Sequence, residues 1–88
     1  MPTVRLRGAL RSRAGDLAHH EVAGRTVADL LRRLEDDRDA LSGWILDERG
    51  HIRRHITVFV NGERGTEDTA LAEDDTVDVL PAISGGTR

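Results

Sequence analysis

Four aliphatic residues, Val27, Leu30, Leu31 and Leu34, fall at i, i+3, i+4 and i+7 and form one apolar stripe, the clearest helical pattern in the chain. No second stretch has a comparable stripe with which to cover it. The covering surface must therefore be a sheet. Thr26 is placed to cap this helix. Asp29, three residues on, complements the exposed N–H groups and the dipole, although Glu would complete a capping box better. The acids Asp36 and Asp37 crowd the last turn unfavourably, which predicts an end near residues 36–38.

The strands that answer the helix are legible as alternation. Val4 and Leu6 face one way while Thr3, Arg5 and Arg7 face the other, and Gly8 with residues 12–15 reads as a turn into a second strand over residues 18–22. Ile56-Thr57-Val58-Phe59-Val60 is rich in β-branched residues, and the following Asn61-Gly62 tolerates positive φ in a tight turn, so residues 63–65 should return as a short strand. Leu41, Trp44, Ile45 and Leu46 anchor an irregular stretch, with a turn at residues 47–50 and a short hairpin around it. Residues 69–71 suggest one helical turn. Residues 76–80 form a last alternating strand, stopped by Pro81. The order predicts an α+β domain over residues 1–82, a mixed sheet of four to five strands packed on one main helix. Residues 83–88 then form a flexible C-terminal tail. With the first and last strands side by side, the chain from Pro81 to Gly86 could reach about 20 Å from the sheet.

Composition narrows the function. Eighty-eight residues without cysteine exclude a disulfide framework, a thiolate metal site and catalysis by an intrinsic thiol, and fit a reducing cytoplasm. No apolar run suggests export or a membrane span. The net charge of −3 and the presence of only Trp44 and Phe59 as aromatic residues argue against nucleic-acid binding, despite Arg5, Arg7, Arg11, Arg13, Arg53 and Arg54. His19 and His20 point to opposite faces of a strand, and His51 and His55 lack carboxylates at a ligand spacing; they read as surface histidines, not metal ligands. The acids Glu35, Asp36, Asp37, Asp39, Glu73, Asp74 and Asp75 have no partner serine or histidine in a hydrolytic pattern and read as solvated loop and helix-end residues. All thirteen basic residues are arginine. Codon bias explains that, and so does an activated end that must not meet its own amines.

Residues 52–63 (IRRHITVFVNGE), 71–82 (LAEDDTVDVLPA) and 83–86 (ISGG) together resemble the MoaD/ThiS sulfur carriers, which have the ubiquitin-like β-grasp fold. A lone Gly-Gly means little; one placed a few residues after a terminal strand and Pro, following Val-Asn-Gly-Glu, is far more specific. The resemblance implies a carrier that is not itself an enzyme and binds no cofactor. An ATP-using adenylating enzyme, similar to ubiquitin-activating enzymes, activates the Gly86 carboxylate, and sulfur then displaces AMP to give a thiocarboxylate. Gly85, without Cβ, lets the tail enter a narrow channel. A sulfur-accepting synthase is the second partner, serving molybdopterin, thiamin, cysteine, thiolated RNA or another metabolite.

Thr87-Arg88 departs from the family's usual ending at the second glycine, and implies a precursor cut after Gly86, in some members by a JAMM-type peptidase. Phe59, Leu80 and Ile83, with Thr57, alternate away from Val58, Val60 and Val79 and are the candidate docking residues; Phe59 packed beneath the preceding loop is the competing reading. Two other functions use the same sequence features: a ubiquitin-like modifier conjugated through Gly86 to lysines, and a β-grasp interaction module with a vestigial tail.

Overall fold

The computed structural model describes residues 1–15 and 19–81. Strand β1 (Thr3–Leu6) leads into a short helix α1 (Gly8–Arg13) and strand β2 (His19–Glu21). Helix α2 (Val27–Asp37) and a 3-10 turn (Asp39–Leu41) follow, then β3 (Ile56–Val60), β4 (Glu63–Arg64) and β5 (Thr76–Pro81). The five strands form one mixed sheet in the order β2-β1-β5-β3-β4. β1 and β5 run parallel in register Val4↔Val77 and Leu6↔Val79, and β3 is antiparallel to β5 with Val58↔Val79. This is the expected β-grasp architecture, with the two terminal strands adjacent at the centre.

The register explains the core. Val4, Leu6, Val58, Val60, Val77 and Val79 share one sheet face and join Val27, Leu30, Leu31 and Leu34 of α2 in a single buried cluster. Each fully buried aliphatic side chain contributes roughly 1.5–3 kcal/mol, so this one interface dominates stability. Thr26 caps α2 as expected, its Oγ1 accepting the Asp29 N–H at 3.2 Å. Asp29 reaches back not to Thr26 but to the Arg25 N–H at 3.1 Å.

Several local expectations are corrected. Residues 8–13 form helix α1 rather than a simple turn, burying Leu10, with Ala14 buried just beyond its end. Residues 69–71 make no helical turn; they run beside the start of α2, where the Thr69 and Glu67 carbonyls accept the N–H groups of Val27 and Ala28 at 3.0 Å. Trp44 is not a core anchor. It lies 45% exposed, with the Arg13 guanidinium stacked 3.7 Å from its ring centroid. His20 is 7% exposed, so the four histidines are not all at the surface. Glu35 is no idle helix-end acid, because its carboxylate accepts the N–H groups of Gly43, Ile45 and Leu46 at 3.3, 2.9 and 2.8 Å. It holds the loop that delivers Ile45 and Leu46 to the core. Asp75 is similarly engaged, accepting from the Ala72 N–H at 2.7 Å and the Asn61 side-chain amide at 2.8 Å.

Candidate functional site: the open sheet face and the end of β5

Helix α2 covers one face of the sheet, and side chains at alternate positions of β1, β3 and β5 stand on the other. Register puts Thr57 opposite Leu80 and Phe59 opposite Asp78, while Arg5 lies opposite Asp78 across the parallel pair. Phe59 and Leu80, separated by twenty-one positions in sequence, thus converge. They line a depression of about 290 Å³ with Arg7, Gly62 and Asp78. Both are half-buried on the face away from the helix. Ile83, Gly85, Gly86, Thr87 and Arg88 lie outside the described residues.

The charged part of this face was not singled out from sequence. Arg5 grips Asp78 with two bonds, Nε to Oδ1 at 2.6 Å and a terminal nitrogen to Oδ2 at 2.9 Å, and Arg7 stands 3.7 Å from Oδ1. Such a fork-to-carboxylate pair fixes geometry as well as charge. The signal that could have found it is that Arg5 and Asp78 both fall on the outward phase of their strands; what sequence lacked was the parallel register joining them. The pair leaves Phe59 and Leu80 as the apolar centre of a surface whose neighbouring charges are already ordered.

At the end of β5 the chain is held firmly. Pro81 pairs with Ile56, and the Arg7 N–H donates to the Val79 carbonyl at 3.2 Å. Gly8, at φ +58°, turns the chain so closely against Pro81 that a Cβ there would lie 3.0 Å from its ring. Whatever follows Pro81 therefore starts from a fixed point and direction.

A family model described as the ThiS family matches residues 4–86, nearly the whole chain. The chain belongs to the ThiS family. The match ends at Gly86, with Thr87 and Arg88 beyond it. Among ThiS-family relatives, sulfur carrier protein CysO of Mycobacterium tuberculosis is 30% identical over 90 aligned positions, covering 96% of this chain and 97% of CysO. Small archaeal modifier protein 3 of Haloferax volcanii is 37% identical over 65 positions, 69% of this chain and 70% of that protein. The CysO structure from the Amycolatopsis orientalis BexX/CysO complex superposes with a TM-score of 0.85 at 28% identity, covering 98% of this chain and 100% of that one. These relatives are small ubiquitin-like sulfur carriers and modifiers, and the fold is theirs. No helix among the described residues is long and apolar enough to cross a membrane.

The acids of the site and loops share one electrostatic property. The Arg5 hydrogen bond holds the Asp78 carboxyl below its ordinary range, against the opposing effect of partial burial. Backbone N–H donors do the same elsewhere, chiefly from Arg25 at Asp29, from His51 at Asp47, from Ala72 at Asp75 and from its own amide at Glu67. A carboxyl whose folded pKa lies below its unfolded value stabilises the fold above the unfolded pKa and loses that contribution as pH falls through the folded one. The thermal midpoint should therefore be level above about pH 5 and fall progressively below about pH 4, near the ordinary carboxylate range. Asp78→Asn should lower the plateau and flatten the acid limb in scanning calorimetry. An unchanged limb would remove Asp78 from this account.

Proposed function

We propose that the protein is a sulfur carrier activated at Gly86, after loss of Thr87-Arg88, by an ATP-using adenylating enzyme and then converted to a thiocarboxylate. The observation that most supports this is the family match ending at Gly86, five residues after a rigidly held Pro81. A carboxylate is a poor acyl donor because resonance stabilises it, so a leaving group such as AMP must be installed before a sulfur nucleophile attacks. The carrier supplies no catalytic group. It presents an acyl group, while the adenylating enzyme supplies the activation and a sulfur-accepting synthase consumes the product in cofactor, cysteine or metabolite biosynthesis. The full-length likeness to CysO favours cysteine biosynthesis among these.

Only a free α-carboxylate on Gly86 can be adenylated, so a peptidase, of JAMM type by family resemblance, must act first. Mass spectrometry of the protein isolated from its native cell should find chains ending at Gly86, a fraction of them with oxygen replaced by sulfur. A working thiocarboxylate on intact Arg88 would refute the precursor reading.

A second reading is supported by the likeness to a small archaeal modifier protein: transfer of the Gly86 acyl group to a lysine of another protein. Both products start from the same acyl adenylate. Tryptic peptides carrying Gly86 on target lysines would establish conjugation.

Partners dock on the open sheet face and guide the tail into their active sites. Phe59→Ala should weaken the complex with the adenylating enzyme by about tenfold or more, as expected for an aromatic residue at the centre of an interface. The melting temperature should change little, because the removed ring lies on the face away from the helix. A large drop in melting with unchanged affinity would make Phe59 structural.

A further inference from the structure

Met1 and the root of the tail stand at opposite ends of the central strand pair. β1 and β5 run parallel, with Thr3 beside Thr76 and Leu6 beside Val79. Pro2 prolongs β1, its carbonyl accepting the Val22 N–H at 3.1 Å, so Met1 lies at the end of the sheet where β5 begins. The tail starts from the other end, at Pro81. Counted along the strands at about 3.3 Å per residue, the Met1 amine is roughly 23 Å behind Pro81. The chain from Pro81 to Gly86 spans about 20 Å at full extension, and β5 delivers it pointing away from Met1.

That separation matters because of what the chain does not contain. There is no lysine among its 88 residues. An arginine guanidinium stays protonated over the working pH range and offers no lone pair to an acyl carbon. The α-amine of Met1 remains, and Met1 is 58% exposed, so burial does not hold it back. Distance does. Arginine, by contrast, stands beside the tail root. Arg54 is exposed in a turn closed by the Ile56 N–H on the Arg53 carbonyl at 2.9 Å, and Ile56 pairs with Pro81. Arg54 is therefore within about 12 Å of Pro81, well inside the reach of the tail.

We infer that the activated Gly86 acyl group is out of reach of every amine in its own chain, so that it passes only to a nucleophile brought from outside. By the same chemistry, a conjugated copy offers no ε-amine on which a second copy can be built. The inference rests on the reading of Gly86 as the activated residue. In any capture, the amine nitrogen bonds to the Gly86 carbonyl carbon, the bond from that carbon to the leaving group breaks, AMP or a thiol departs with the electron pair, and the amine proton goes to solvent. Sulfur transfer and lysine transfer to a partner thus proceed without an internal competitor.

The test uses a synthetic thioester and needs no adenylating enzyme. The chain ending at Gly86 is prepared as an aryl thioester and kept folded, at micromolar concentration, at about pH 9, where an α-amine is mostly unprotonated. Intact mass and tryptic peptides report the products. The unsubstituted chain should give only the hydrolysed acid. Arg54→Lys should give a closed chain, lighter than the acid by one water and joined at position 54, at least about tenfold faster than any Met1-linked product. In denaturant the unsubstituted thioester should close through Met1, because unfolding removes the separation. Closure through Met1 in the folded chain at the denatured rate overturns the proposal, as does an Arg54→Lys chain that stays open. Failure to close in denaturant also overturns it, by making the chemistry of the amine and not its distance the barrier. A chain that passes all three arms but is never adenylated in its native cell fails the carrier reading alone.

Discussion

A chain ending at Gly86 should become a thiocarboxylate when given ATP, its adenylating enzyme and a sulfur donor, while a chain ending at Gly85 should lose at least about 100-fold in rate. The reason is reach. Removing one residue draws the carboxylate back by about 3.3–3.6 Å, and a misplacement of only about 1 Å can cost two orders of magnitude in a positioned reaction. Pro81 fixes the starting point, so the tail has little means of recovering that distance by moving its root. The fold should be indifferent, because among the described residues the buried aliphatic cluster runs from Val4 to Val79. Single-turnover assays of both chains, with calorimetry as the control, would decide the matter. Equal rates would place the reactive group elsewhere and leave the interaction-module reading in possession of the tail.

Gly24→Val should be the most damaging single substitution outside the aliphatic core. A Cβ at Gly24 would lie 2.7 Å from the N, Cα and Cβ atoms of Leu30, inside any real contact distance. Leu30 is fully buried in the α2 stripe, so relief requires the helix to shift against the sheet. Overpacking of this kind costs typically 1–3 kcal/mol, and a branched side chain against backbone belongs at the upper end, about 3 kcal/mol. For a domain of this size that is a fall of roughly 12–24 °C in thermal midpoint. A fall of only a few degrees would show that α2 can move cheaply, and would weaken the description of this domain as a rigid support.

The elements legible in sequence are those in which one period is sustained. The α2 stripe, the alternation in β1, β3 and β5 and the Asn61-Gly62 turn, with φ of 53° and 87°, all follow from local rules. What escaped depended on partners distant in sequence. α1 offers only Leu10, with Ala14 just past its end at i+4, a spacing too brief to outweigh the flanking arginines and glycines. Residues 69–71 suggest a helical turn by themselves, but the Thr69 and Glu67 carbonyls are taken by the open start of α2. Glu35 reads as surface charge until its three backbone donors, eight to eleven residues later, fold back over it. On the open sheet face, Phe59 and Leu80 could be placed by phase alone. The Arg5–Asp78 fork beside them required the pairing of strands that are seventy-three residues apart.

The central position of β5 also has a mechanical consequence. It is bonded along one flank to β1 and along the other to β3, so a pull applied at Pro81 along the strand loads two ladders in shear at once rather than peeling one bond at a time. Tension applied to the chain at Pro81 would therefore be borne by the whole sheet, as a rope is held by a cleat.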